Sequence, residues 1–334
     1  MRPLLVLTAI GLTLAGGAAP ATTPVVVAVV DSGVDPSVPG LIAGRNVFDN
    51  SVDTHDDQGH GTGVARVVAA GCNGCRIMPV KIDANGTSTQ GTIAAGIRWA
   101  SEHGARVINL SWGLALGAQS TREVERAIAN ATLRGALVTT GAMNDGTRNP
   151  RINPWASDSP AAVRVTAVDA QGHLLPASNH GVWVDVGAPG TASSNAAPRA
   201  AAAAAEVLAA RPQLTPLQVR AALRRGCRAL PLLDVGWHCV LDPEGAVKGA
   251  NANVASYRLS VGKAGHGAGT VTGGAIECGL FCADRLDAGA LVTLRAGPLR
   301  GSRFLRWLGD CRGTRPVCAL RIAGPTKTIA VFAP

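Results

Sequence analysis

Residues 25–31 constrain the fold most: an unbroken apolar run, Val25 to Val30, closed by an acid, Asp31. A strand with one wet face alternates apolar and polar residues. A continuous run of this length belongs to a strand buried on both faces, as in a parallel sheet, with the acid at its carboxyl end. Further strand candidates lie at 76–82, 107–110, 136–140, 162–168 and 182–186. Helical spacing occupies 90–103, 121–133 and 196–210, and the run Ala200 to Ala205 reads as a buried helix. Thr215-Pro216 opens another helix, with Thr as N-cap and Pro at the first helical position. Strands alternating with helices predict an α/β fold. Its mostly parallel sheet is flanked by helices on both faces, with the ligand site beyond the strands' carboxyl ends.

Of 334 residues only 16% are charged, which argues against a coiled coil and against a disordered chain. With aromatics at 3%, the core must be built from Ala, Val, Leu and Ile. Length alone suggests about two domains. Around residue 250 the texture changes, so 250–257 is expected to be a linker between an α/β domain over 22–249 and a small all-β module over 258–334. That module holds 11 Lys and Arg against 4 Asp and Glu, or +7 of the whole chain's +9.

The start of the chain has the build of an export signal. Arg2 is followed by an apolar stretch over 3–14 and by small residues over 16–21. The stretch is short for a membrane span of ~20 residues, so cleavage near residue 21 and a secreted or periplasmic location are expected, with an uncleaved anchor as the alternative. The eight cysteines fall into four neighbouring pairs: Cys72 with Cys75, Cys227 with Cys239, Cys278 with Cys282, and Cys311 with Cys318. Neighbour pairing as structural disulfides is the economical reading in an exported chain. A redox role is the alternative for Cys72 and Cys75, and zinc would need a second cysteine pair nearby.

Three motifs carry chemistry. Asp31-Ser32-Gly33 ends the first strand. His60 stands between Gly59 and Gly61, where the backbone can turn sharply and leave the imidazole reachable. Ser193-Ser194 opens the Ala-rich helix, where free N–H groups and the helix dipole favour negative charge. Serine is a weak nucleophile. It needs an imidazole to take its proton and a carboxylate to hold the imidazole tautomer. Asn144, after a strand, can supply an amide N–H to an oxyanion. Each has a plainer reading: Ser193 or Ser194 as a helix cap, Asn144 as a turn residue beside Asp145-Gly146. Asp53, Asp56 and Asp57 suggest a calcium site or, more simply, a solvated acidic loop.

The order Asp, His, Ser resembles that of the subtilisin-like serine proteases, the subtilases, and the likeness covers about 25–247. It implies an Asp31-His60-Ser194 triad with Asn144 in the oxyanion hole. Val107-Ile-Asn-Leu-Ser-Trp-Gly113 resembles the family's edge strand that pairs with substrate backbone, giving substrate-binding roles to Ser111, Trp112 and Gly113. Gly141, Ala142 and Met143 are similar to the segment lining the first specificity pocket. Ser178 to Gly181 and Ala188 to Gly190 are similar to two structural turns. Alignment on Ala196-Ala197-Pro198 makes Ser194, not Ser193, the nucleophile. The resemblance implies a secreted serine endopeptidase acting on polypeptides through an acyl-enzyme, with no cofactor, no metal and no specific nucleic acid partner.

The chain departs from the family pattern in places. Ala192 and Asn195 replace the usual glycine and methionine around the serine, and Thr191 alone links Gly190 to Ala192. Met143 stands where glycine is usual, and little room for a folding pro-segment is expected before residue 25. These departures favour an alternative: a catalytically inactive protease fold used as a surface or partner-binding protein. An esterase-type hydrolase would show Gly-x-Ser-x-Gly, which Ser194 lacks. The last 77 residues resemble a small bacterial β-repeat module. Its arginines, among them Arg300, Arg303, Arg306, Arg312, Arg315 and Arg321, offer a basic face for an anionic surface, or simply a charge-solubilised one.

Overall fold

Successive residues of the first strand, β1 (Val26–Asp31), feed two different cores. Val27 and Val29 point to one, Ala28 and Val30 to the other. In the computed structural model, residues 23–83, 86–113, 122–148, 161–252, 254–273, 276–279 and 282–334 are described. The expected export signal lies outside them. Among them, no helix is long and apolar enough to cross a membrane.

Next come β2 (Arg45–Asn46), α1 (His60–Gly71), β3 (Arg76–Lys81), α2 (Gln90–Glu102), β4 (Val107–Leu110), α3 (Arg122–Leu133), β5 (Leu137–Gly141), β6 (Val163–Val168) and β7 (Val186–Pro189). The domain continues with α4 (Ser193–Ala210), α5 (Pro216–Gly226), β8 (Arg228–Ala229), β9 (Cys239–Val240) and α6 (Pro243–Asn251). The strands form one sheet in the order β2-β3-β1-β4-β5-β6-β7-β9-β8, parallel except for the β8–β9 pair. Helices α1, α4, α5 and α6 cover one face and α2 with α3 the other, so the expected α/β architecture is found. Ala200 to Ala205 are all within 2% of full burial. Small side chains let α4 pack close to α1: a Cβ on Gly71 would stand 2.9 Å from that of Ala202. Thr215 caps α5 as the sequence predicts, accepting from Gln218 N with Pro216 at the first position.

Two expectations are corrected. The strand predicted over 182–186 begins only at Val186. Val182 is 78% exposed, and the intervening backbone turns Asp185 inward to ion pairs with Arg164 at 3.0 Å and Arg220 at 2.7 Å. The segment expected as an edge strand, 107–113, is instead central up to Leu110. All four β4 residues are buried between β1 and β5, and only Ser111, Trp112 and Gly113 run on past the sheet.

The rest is all β. Strands β10 (Ser256–Ala264), β13 (Ala283–Asp287), β15 (Arg303–Gly309) and β17 (Thr326–Ala333) form one sheet in the order β13-β10-β17-β15. Strands β11 (Gly269–Gly273), β12 (Ile276–Glu277), β14 (Leu291–Pro298) and β16 (Val317–Arg321) form another, β12-β11-β14-β16. Trp307 and Phe332 fill the core between them. Residues 250–257 hold the end of α6 and the start of β10, leaving four residues, 252–255, between them. Arg225 ties the two parts together, pairing with Asp287 at 2.7 Å and donating to Gly249 O at 3.0 Å. The eight cysteines form four disulfides between sequence neighbours, with Cα separations of 5.8, 5.8, 4.2 and 6.1 Å.

Candidate active site

Beyond the carboxyl ends of β1, β4 and β5 the chain brings together the start of α1, the extension 111–113, the segment 141–144 and the start of α4. Asp31 ends β1, fully buried, and its Oδ1 lies 2.7 Å from Nδ1 of His60. His60 is the first residue of α1. Gly59 precedes it at φ 77, a conformation that favours glycine. At Gly61 a Cβ would collide with the Gly33 carbonyl, so glycine lets the helix approach β1 closely enough for His60 to reach Asp31. The hydrogen bond to Asp31 raises the His60 pKa above the ordinary imidazole value, against the opposing effect of burial. The Asp31 and Asp56 charges add to the rise.

Asp56 is the main residue that the sequence reading mistook. It is 9% exposed rather than solvated. Its Oδ1 accepts from Ser32 Oγ at 2.8 Å, Gln58 N at 3.1 Å and Gly59 N at 2.9 Å; its Oδ2 accepts from Thr62 N at 2.7 Å and Thr62 Oγ1 at 2.6 Å. It therefore holds the whole approach to α1. Burial pushes its pKa up, but the Thr62 and Ser32 hydrogen bonds outweigh that and lower it overall. Asp57 pairs with Lys81 at 2.5 Å. Among the described residues no group of three or more acids, histidines or cysteines is arranged to hold a metal.

Ser193 and Ser194 differ sharply. Ser193 is 2% exposed, its N–H donates to Asn144 Oδ1 at 2.8 Å, and its Oγ lies 2.9 Å from where a Cβ on Gly141 would stand. Ser194 is half-buried and reachable. With Oδ1 of Asn144 taken by Ser193, the remaining polar end of that side chain is a donor, Nδ2. Trp112 packs edge-on to His60 at 5.7 Å between ring centroids. Among the described residues no hydrogen bond joins His60 to Ser194. Such bonds often close only when substrate is bound.

Pro198 explains what Ser111 does. Helix α4 contains Pro198, which has no N–H to donate to the carbonyl four residues back, that of Ser194. Ser111 Oγ donates to that carbonyl instead, at 3.0 Å. Asn109 Nδ2 donates to Ser111 Oγ at 2.9 Å, and Thr139 Oγ1 to Asn109 Oδ1 at 3.1 Å. A chain of side-chain hydrogen bonds thus runs from the sheet interior to the first turn of α4. The Asn-Leu-Ser spacing before Trp112 and the proline at 198 were the available signals, though neither shows that the two meet.

Fold and site together define the subtilisin-like α/β class. The chain belongs to the subtilase family, whose model, "Peptidase_S8: Subtilase family", matches residues 22–238. It is 37% identical over 179 residues to the "Thermophilic serine proteinase" of Bacillus sp. (strain AK1), covering 49% of this chain and 43% of that protein. It is 31% identical to "Thermitase" of Thermoactinomyces vulgaris over 49% of this chain and 62% of the other. The chain thus spans about half the length of these curated relatives. In fold it is similar to the crystal structure of fervidolysin from Fervidobacterium pennivorans. The TM-score is 0.66 at 22% identity, over 93% of this chain and 60% of that one.

Proposed function

We propose that this chain is an exported serine endopeptidase, in which Asp31 orients His60, His60 takes the proton of Ser194, and Ser194 attacks a peptide carbonyl. The observation that carries the reading is the 2.7 Å Asp31–His60 hydrogen bond at the same carboxyl end of the sheet as a reachable serine on the first turn of α4. In this reading Nδ2 of Asn144 and the backbone N–H of Ser194 receive the oxyanion. The imidazolium so formed then gives that proton to the leaving amine, and water, deprotonated in its turn by the neutral His60, releases the acyl group. Ser111, Trp112 and Gly113 would pair with substrate backbone, and Gly141, Ala142 and Met143 would face the side chain beside the scissile bond. Fluorophosphonate labelling tests the reading without a substrate. Wild-type protein and Ser193→Ala should label, while Ser194→Ala and His60→Ala should not. Failure of the wild type to label between pH 6 and about 9 would leave an inactive fold.

We also propose that the module over 258–334 contacts anionic polymers. Arg258 and Arg285 are exposed directly opposite each other across β10 and β13, hydrogen-bonded to Ser260 and Ser256 respectively, so two like charges stand on one face where an anion would ease their repulsion. Lys327 is exposed on the same sheet. Binding of the full chain to inorganic polyphosphate should fall steeply with salt, since screening shortens to ~3 Å at 1 M. No binding at low salt would make the module passive.

A further inference from the structure

We propose that Met143 sets the substrate class of this site: its thioether fills the space for the side chain of the residue whose carbonyl is attacked, restricting that residue to glycine or alanine. The inference rests on the serine-peptidase reading and sharpens it. If Ser194 and Asn144 hold the attacked carbonyl, the side chain on the adjoining α-carbon must enter beside them. The space there is flanked by the two segments that brace the start of α4. These are Ser111 to Gly113, bonded to the Ser194 carbonyl, and Gly141 to Met143, packed on Ser193.

Met143 lies across that gap. Its Cε and Sδ rest on Gly113 so closely that a Cβ on that glycine would collide with both. The backbone is pinned in a way that keeps the side chain there. Met143 has φ 70, the left-handed region that non-glycine residues rarely adopt. Asn179 N–H donates to its carbonyl at 3.3 Å, and the next residue, Asn144, is bonded to Ser193 N. Such a conformation persists only where its surroundings impose it. A methionine can still change rotamer, so the block is a penalty rather than a wall. Discrimination of about 10²-fold is therefore expected, the range of a pocket-size difference. Met143→Gly removes the thioether and places at φ 70 the residue that most readily adopts it, so the variant keeps its fold.

The test has two arms. The first compares kcat/KM for two peptides that differ only in Ala or Phe before the scissile bond, in wild type and Met143→Gly. The second measures calorimetrically the binding of the corresponding product peptides, ending in Ala or Phe, to Ser194→Ala with and without Met143→Gly. Wild type should prefer Ala by about 10²-fold, and Met143→Gly should cut that preference at least about tenfold by gaining on Phe, with the same order in binding. Equal use of Phe by the wild type, or an unchanged ratio in Met143→Gly, overturns the proposal. If the wild type neither labels nor cleaves, the peptidase reading fails, and the binding arm alone decides whether Met143 excludes Phe.

Discussion

The pairing of Ser111 with a proline-vacated carbonyl makes a test in which one substitution rescues another. Ser111→Ala removes the donor to Ser194 O and the acceptor of Asn109 Nδ2. A part-buried carbonyl left without a partner costs about 1–3 kcal/mol, and the lost Asn109 bond adds about 1 kcal/mol. For a domain of this size each kcal/mol lowers Tm by about 2–4 °C, so a fall of about 4–16 °C is expected. Pro198→Ala restores a helix N–H four residues after Ser194, and in that background the carbonyl has its ordinary helical partner. The cost of Ser111→Ala should then shrink to the Asn109 part alone, about 1 kcal/mol, giving a coupling of about 1–3 kcal/mol between residues distant in sequence. Thermal melts of the four proteins, followed by far-ultraviolet circular dichroism at one scan rate, read this directly. Equal losses from Ser111→Ala in both backgrounds would refute the link between proline and serine.

Three further outcomes follow from the site. His60 must be neutral to act as base and its pKa is raised, so fluorophosphonate labelling should rise with pH through a midpoint above the ordinary imidazole value. The stabilising effect of the same pair has the opposite sense: full below the unfolded histidine pKa, lost as pH rises through the folded one. Asp56→Asn sets an amide N–H₂ against Thr62 N–H, which should cost about 2–3 kcal/mol and lower the labelling midpoint, because the Asp56 charge helps raise the His60 pKa. Unchanged stability and midpoint would remove Asp56 from the site. The lowered pKa of Asp56 means that its own contribution is present above the unfolded carboxylate value and lost as pH falls through the folded one. Asp185→Ala removes the buried carboxylate that Arg164 and Arg220, both under 10% exposed, share, and should cost about 3–5 kcal/mol in denaturant melts while leaving the labelling midpoint in place.

What the sequence determined by itself is local. The apolar run through β1 announces burial on both faces because alternate residues must face opposite sides, whatever packs there. Thr215 and Pro216 mark a helix start because capping is settled within one turn. Ala200 to Ala205 read as a buried helix, and the spacing of the cysteines makes neighbour pairing the economical choice without fixing it. The motifs around Asp31, His60 and Ser194 were legible through their resemblance to the subtilase pattern, which also set Ser194 above Ser193; glycines and helix starts alone mark only where a backbone turns. The tertiary structure decided everything that depends on which ends meet. Asp56 reads as one of three loop acids, yet it is buried because Ser32 and Thr62 arrive at it from different elements. The acid at 185 interrupts a would-be strand because two arginines, one on β6 and one on α5, draw it inward. Met143 and Gly113 lie 30 positions apart, and Ser111 and Pro198 further still. Nothing in their local spacing joins either pair. Sheet order does, because it sets β4 beside β5 and runs α4 past their ends, and that order is fixed by long-range packing rather than by any single segment.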